Sequence, residues 1–324
     1  MDNLEVHSAN ISTETFISLQ DNLALGFVIA LVVMSGLNVM LHSVGTYLCI
    51  TVYRDNNSIQ ITNLINLSLT QALASLVVLL DEASELIYDM MGITEGSTAM
   101  WLRKLDVYLY IVIYVLFCIY YIVMLVITLD KFFEVYLNIR YPIFWDVNKS
   151  KRLTYGIWLV SVCVCVLLCV IYHFRPFNYQ MIFTEIVSPL FNFTFLLVAV
   201  VSYVYIFRRF RHTRTRHPSL NGSKTRESMY TTFRNSNFHL CALLVVSFIV
   251  FMVAPNLAYL FHGWAGQQRS HASKDAIKVS YQLSFLVDFA IYVIMQPEIR
   301  GLCLKKVRRC RCSKEQSDHQ TSFL

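Results

Sequence analysis

The sequence predicts an all-α membrane protein, a bundle of seven transmembrane helices with a short amphipathic helix after the seventh span. Composition is the first observation. Of the 324 residues 56% are hydrophobic and only 15% are charged, against about a quarter charged in ordinary soluble domains. Grouping is the second. A helix needs roughly 20 mostly apolar residues to cross about 30 Å of hydrocarbon. Seven stretches qualify, approximately 23–53, 61–80, 107–128, 153–172, 182–207, 238–261 and 279–295. In lipid each must be a helix, because an open strand leaves backbone N–H and C=O groups unpaired.

The third observation is the sidedness of lysine and arginine. With an outer N-terminus, every basic residue except Arg103, Lys104, Arg175, Arg269, Lys274 and Lys278 falls on the inner side. The excess of positive charge in inner segments fixes this orientation. The chain then divides into an outer segment over 1–22, the bundle over 23–295, and an inner amphipathic helix and tail over 296–324. No room remains for a second globular domain. The net charge of +6 sits beside spans, which reads as contact with lipid headgroups and not with nucleic acid. Six of the nine cysteines lie in spans and three in the tail. No structural disulfide is therefore expected on the oxidising side. No cleavable leader is evident in 1–21, so the first span is expected to act as its own uncleaved signal.

Taken in order, the outer segment carries the sequon Asn10-Ile11-Ser12, which predicts glycosylation of Asn10. In the first span Asn38, His42 and Gly45 recur on one helical face, and such a polar face turns toward the bundle. The second span becomes acidic beyond Leu80, with Asp81, Glu82, Glu85 and Asp89. Asp81, Glu85 and Asp89 share a face, a like-charge spacing that needs cations nearby. Two readings stand: a solvated helix end paired with Arg103 and Lys104, or an outer vestibule for a cationic ligand or basic peptide. The third span ends abruptly at Asp130-Lys131, with Arg140-Tyr141 just beyond. The polar stretch 218–235 is expected to be mobile and a kinase target. In the sixth span Pro255 frees a backbone carbonyl and allows a hinge. The seventh holds Asp288 and Tyr292.

His42 and Asp288 are ionisable, lie deep in spans and fall at comparable depth. Either alone would cost several kcal/mol in hydrocarbon, so each needs a partner. One possibility is that they bond each other. The alternative pairs Asp288 with water or Tyr292, and His42 with a backbone carbonyl. After the seventh span Ile299, Leu302, Cys303, Val307 and Cys310 alternate with basic residues at helical spacing, as in a helix lying on a membrane surface. Cys310 and Cys312 in that setting are palmitoylation candidates. Ser322 and the terminal Leu324 suit a PDZ groove.

The ordered motifs resemble the rhodopsin-like G-protein-coupled receptors. Asp130-Lys131-Phe132 resembles that family's Asp-Arg-Tyr, and Asn66 to Leu73 its Leu-Ser-Leu-Ala-x-Ala-Asp. Trp158 resembles its fourth-helix tryptophan. Tyr203 before the basic run Arg208-Arg209 matches its fifth helix, and Asp288 to Tyr292 its Asn/Asp-Pro-x-x-Tyr. The resemblance implies a plasma-membrane receptor, without a cofactor, that passes an extracellular signal to a heterotrimeric G protein. The coupling surface would comprise Asp130, Lys131, Phe132, Arg140, Tyr141, Tyr203, Arg208 and Arg209. His42, Asp288, Tyr292 and Pro255 would form the polar switch. Kinases, arrestin and a PDZ protein are implied as further partners. Five departures are specific to this chain. Leu73 replaces the sodium-site acid, Val253 the sixth-helix tryptophan and Phe289 the seventh-helix proline. The outer disulfide is missing, and Pro189 lies too far outward to be the fifth-helix proline. Gln282 stands where opsins keep their retinal lysine, and Ile113 where amine receptors keep an aspartate, so neither ligand is expected.

No His-Glu-x-x-His, Gly-x-Ser-x-Gly, phosphate-binding loop or intramembrane aspartate pair is present, and no enzymatic activity is expected. The alternatives are a receptor-shaped scaffold that exchanges no nucleotide, and a seven-helix transporter or channel. The absence of an internal repeat weighs against the transporter.

Overall fold

The computed structural model describes residues 2–55, 58–91, 97–137, 140–174, 182–216, 239–264 and 271–302. Within these, side chains are described except at 2–25, 88–91, 97–100, 102, 103, 184, 185, 210–216, 262–264 and 271–275. The described chain is almost entirely helical. Seven helices are long and apolar enough to cross a membrane: Gly26–Asp55, Ile59–Ile87, Lys104–Leu137, Val147–Phe174, Ser188–Arg209, His239–Phe261 and Ala276–Met295. They are the first to seventh spans, and they match the seven apolar stretches in order.

The helices outrun the apolar stretches at several ends, because backbone hydrogen bonding continues where hydrophobicity stops. The first helix runs Asp2–Asp55 without a break, the second Ile59–Met91 and the third Ser97–Leu137. The expected outer segment 1–22 is thus helical from Asp2, and Asn10 lies within that helix, its side chain outside the described residues. A four-residue helix, Tyr141–Phe144, with Pro142 in its first turn, links the third and fourth spans. Proline is tolerated there because the first-turn N–H groups have no helical acceptor.

The first span packs on the second and seventh, the second on the third and fourth, and the third on the fourth and fifth. The sixth touches the fifth and seventh, which closes the ring. The core is aromatic. Phe248 of the sixth span meets Tyr120 at 5.2 Å and Tyr121 at 4.8 Å between ring centroids, and Phe195 of the fifth at 4.4 Å. Phe285 of the seventh packs edge-on against Tyr120 at 5.1 Å. In lipid, burying apolar area against protein gains little over leaving it against acyl chains. Helix association there depends on close packing and interhelical hydrogen bonds, and aromatic pairs add about 0.5–1.5 kcal/mol each.

The fourth span shows the other side of that rule. Only Ser150 is buried in the helix Val147–Phe174, and Leu159, Val160, Val166 and Leu167 point outward as a lipid-facing surface would. A buried polar bond ties it in, Trp158 Nε1 donating to Asn66 Oδ1 of the second span at 2.6 Å, and an exposed one joins His173 Nδ1 to the Tyr108 hydroxyl of the third at 3.2 Å. Trp158→Phe should lower stability by about 1–3 kcal/mol, because it leaves the buried Asn66 acceptor without its donor. Adding Asn66→Leu should recover much of that loss, as read by thermal unfolding of the purified protein in detergent.

Candidate functional site

Polar side chains inside the bundle gather in layers along its axis. At one end Lys278 of the seventh span meets the second. Its Nζ lies 2.6 Å from Glu82 Oε1 and 3.2 Å from Asp81 Oδ2, with both acids 1% exposed. The ammonium also sits 5.0 Å over the Tyr110 ring of the third span, and Asp106 lies within hydrogen-bonding reach of Asp81. Behind this layer Tyr114 stacks on Phe183 at 4.8 Å. Removing Lys278 would strand two buried carboxylates, and losing one partner of a buried ion pair costs about 3–5 kcal/mol.

The acidic face thus takes a cation from the seventh span: Asp81 is buried, with Lys278 beside it. Lys104 is exposed, and the Arg103 side chain is outside the described residues. Glu85 is exposed, and Asp89's side chain is also outside the described residues. Glu82, one position off the expected face, takes the shorter bond. Lys278 fell just outside the stretch 279–295. Its spacing to Gln282, Phe285, Phe289 and Tyr292 places all five on one helical face, which was the available signal.

The middle layer joins the first, second, third and seventh spans. Asn38 Nδ2 donates to the Gln282 side chain at 2.7 Å and to its backbone carbonyl at 2.8 Å, and Ser75 also donates to Gln282 Oε1. His42 Nε2 lies 3.0 Å from the Phe285 carbonyl. A carbonyl only accepts, so Nε2 carries the proton and Nδ1 is the acceptor. Ser68 Oγ and Tyr292 Oη both lie 3.5 Å from that Nδ1, and Ser68 Oγ donates to the His42 carbonyl at 2.9 Å.

Asp288 is not the partner of His42, and its bonds are not to Tyr292. Tyr120 Oη donates to Asp288 Oδ2 at 2.5 Å and Gln71 Nε2 donates to the same oxygen at 2.7 Å. Among the described residues no donor meets Asp288 Oδ1 at good geometry, although Ser247 of the sixth span lies close to the carboxylate. The backbone-carbonyl alternative thus describes His42, and Gln71 with Tyr120 replaces the partners considered for Asp288. Leu73 is also not the buried polar position of the second span. It packs among apolar side chains, while Gln71, fully buried two residues earlier, faces Asp288. Leu73 and Gln71 lie about 200° apart around a helix of 3.6 residues per turn, so the two side chains meet different neighbours. Gly45 explains how Tyr292 reaches this layer. A Cβ at Gly45 would fall on the Tyr292 hydroxyl, so only glycine lets the tyrosine approach the first span.

At the opposite end Asp130 and Lys131 are 6% and 7% exposed. Tyr141 Oη donates to Asp130 Oδ1 at 2.5 Å. Burial, and after it the Asp130 carboxylate, push the Tyr141 phenol above its usual value, so the hydroxyl keeps its proton. Lys131 Nζ bonds Glu134 at 2.7 Å and lies 3.8 Å from Asp130. These residues edge a narrow cleft, with room for about one water, between the second, third and sixth spans, lined also by Gln60, Asn63, Leu240 and Cys241. Phe132 packs on Tyr136 and Tyr205, with Tyr205 at 5.3 Å. Tyr203 is half-buried, and Arg140, Arg208 and Arg209 are exposed. Cys310, Cys312, Ser322 and Leu324 lie outside the described residues. Among those described, six cysteines are free, and no cluster of three His, Cys, Asp or Glu is arranged to hold a metal.

Asp288→Asn keeps an acceptor for Tyr120 and Gln71 while removing a buried charge. It should leave thermal stability unchanged or raise it by about 1 kcal/mol, whereas Asp288→Leu, which orphans both donors, should lower it by about 2–4 kcal/mol. Gly45→Ala should displace Tyr292 and cost about 1–3 kcal/mol, and adding Tyr292→Phe should relieve most of that loss. Unfolding curves of the purified variants measure each.

A scan against protein-family models finds no match to this chain, and a search of curated proteins finds none either.

Proposed function

We propose that this chain is a receptor of the rhodopsin-like G-protein-coupled type. In this reading it lies in the plasma membrane with its N-terminus outside and its C-terminus in the cytosol. The observation that carries the proposal is the Asp130 end of the bundle. An acid and a base on consecutive residues of the central span are both buried, each held by a local partner, beside a narrow cleft between the second, third and sixth spans. Charged groups are placed at such depth only where they have partners and a task. The partners here, Tyr141 and Glu134, are exchangeable by small rotations, so the cleft can change its charge pattern without unfolding. Exposed Arg140, Arg208 and Arg209 at the same end would give a transducer a basic rim. Palmitoylation at Cys310 and Cys312, recruitment of kinases and arrestin, and a PDZ contact at Ser322 and Leu324 belong to the same reading.

The ligand would enter from the Lys278 end. The Asp81, Glu82 and Tyr110 groups around Lys278 form a seat for an ammonium, which the chain's own lysine fills. A cationic ligand, such as a basic peptide, would compete with Lys278 and loosen the second span from the seventh. A ligand acts only through such a difference in affinity between two states.

The test is guanine-nucleotide exchange by the full chain in nanodiscs with a panel of heterotrimeric G proteins and a library of basic peptides. At least one pairing should exchange above background. Lys131→Ala should then reduce the rate about tenfold, the worth of one charged contact. Lys278→Gln should lower the peptide concentration for half-maximal exchange, also by about tenfold on the same scale. Silence with every G protein, including for Lys131→Arg, would leave a receptor-shaped scaffold as the better description.

A further inference from the structure

The sixth span is not a uniform helix. Its residues Ile249–Val253 form a π-helical turn, and an α-helix resumes at Ala254, one residue before Pro255. Proline has no N–H, so it cannot donate to the carbonyl four residues earlier, which is that of Phe251. In hydrocarbon such a carbonyl needs another donor. Ser280 Oγ of the seventh span supplies it at 2.8 Å. The next residue, Tyr281, donates its hydroxyl to Asn256 Oδ1 at 2.5 Å. Asn256 Nδ2 in turn donates to Met252's carbonyl at 2.8 Å and to Tyr121 Oη at 3.1 Å. Tyr121 donates its hydroxyl to Asn192 Oδ1 at 2.6 Å, and Asn192 Nδ2 donates to Ser188.

The hydroxyl and amide groups in this chain all donate in one direction, from the seventh span through the sixth and third to the fifth. Reversing the amide of Asn256 or Asn192 would set donor against donor or acceptor against acceptor, so both amide orientations are fixed by the network. Tyr121, Asn192, Asn256 and Tyr281 are all at least 92% buried. In such surroundings a broken link leaves an unpaired polar group, and intermediate arrangements are costly. A hinge held this way has two preferred states, clasped and open.

We infer that the Pro255 hinge of the sixth span is clasped by the seventh through Ser280 and Tyr281, and that this clasp sets how far the sixth span swings from the bundle. Lys278 lies two and three residues before the clasp, within one turn of the same helix. The ion pair at that end and the hinge therefore share one rigid turn of the seventh span. A change that pulls Lys278 from Asp81 and Glu82 moves Ser280 and Tyr281 with it. This inference rests on the receptor reading for its purpose, although the clasp itself does not.

The test uses the full chain in nanodiscs without G protein. Nitroxides on unnatural ketone residues at the exposed positions Arg54 and His239 report the distance between the first- and sixth-span ends by double electron–electron resonance. Ser280→Val and Ser280→Thr differ only in whether the side chain keeps a hydroxyl. Ser280→Val should raise the population at longer distance about fivefold, the worth of one hydrogen bond, while Ser280→Thr should match the wild type. Tyr281→Phe, which removes a single oxygen, should act like Ser280→Val. Thr51→Val, whose hydroxyl bonds only its own helix, should change nothing. If Ser280→Val and Tyr281→Phe keep the wild-type distance distribution, or Ser280→Thr opens the hinge as far as Ser280→Val, the clasp is overturned. Should the clasp variants open the hinge and yet leave nucleotide exchange silent with every G protein, the clasp stands and the receptor reading falls.

Discussion

Every feature of this bundle follows from the absence of water inside hydrocarbon. A polar side chain within a span must find its partner on another helix or on its own backbone, because nothing else there can donate or accept. That requirement does what apolar burial does in a soluble protein: it chooses the rotation of each helix about its axis. Asn38 can reach Gln282, and Gln71 can reach Asp288, only if the first, second and seventh spans each turn one particular face inward. The fourth span, whose interhelical bonds are a buried one from Trp158 and an exposed one at His173, is correspondingly the least embedded. Aromatic packing around Phe248 then fills the space that the polar contacts have framed.

The number, order and approximate limits of the spans were legible in the sequence because hydrophobic length is a property of one segment at a time. Asp130 and Tyr141 were both singled out in the sequence, only eleven residues apart, but the bond between them was not read from it. Partner choice deep in the bundle was not. The His42–Asp288 pairing was one of two alternatives that comparable depth allowed, yet depth fixes only one coordinate, and the azimuth of each side chain around its helix decides contact. His42 turns to a backbone carbonyl, and Asp288 turns to the third span. The same holds in the second span, where Gln71 and Leu73 are two residues apart, yet Gln71 turns to Asp288 and Leu73 packs among apolar side chains.

Lys278 was hidden for a different reason. Charge at the border of an apolar stretch is ordinarily solvated, and counting basic residues by side treats it as a topological marker. Here the lysine's long stem carries its ammonium inward, where Glu82 and Asp81 neutralise it. Two acids near one base at 1% exposure form a costly arrangement unless every geometry is favourable. It persists because Tyr110 supplies the face of its ring as a further electrostatic partner.

Val253 stands where the resemblance would put a tryptophan, so no large indole marks the hinge in this chain. The π-helical turn and Pro255 nevertheless interrupt the α-helical ladder of the sixth span there, and the freed Phe251 carbonyl meets a serine of the seventh span. A bulky apolar switch works by volume and a hydrogen-bonded one by pairing, and the two respond differently to perturbation. Shaving a methyl group from a packed core gives a graded loss, whereas removing one hydroxyl from a directional chain leaves a buried donor or acceptor with nothing to bind. Because Tyr281, Asn256, Tyr121 and Asn192 are linked in series, a change at either end alters the hydrogen-bonding opportunity of the next group. The fifth, sixth and seventh spans are thereby joined through the third at a single level of the bundle.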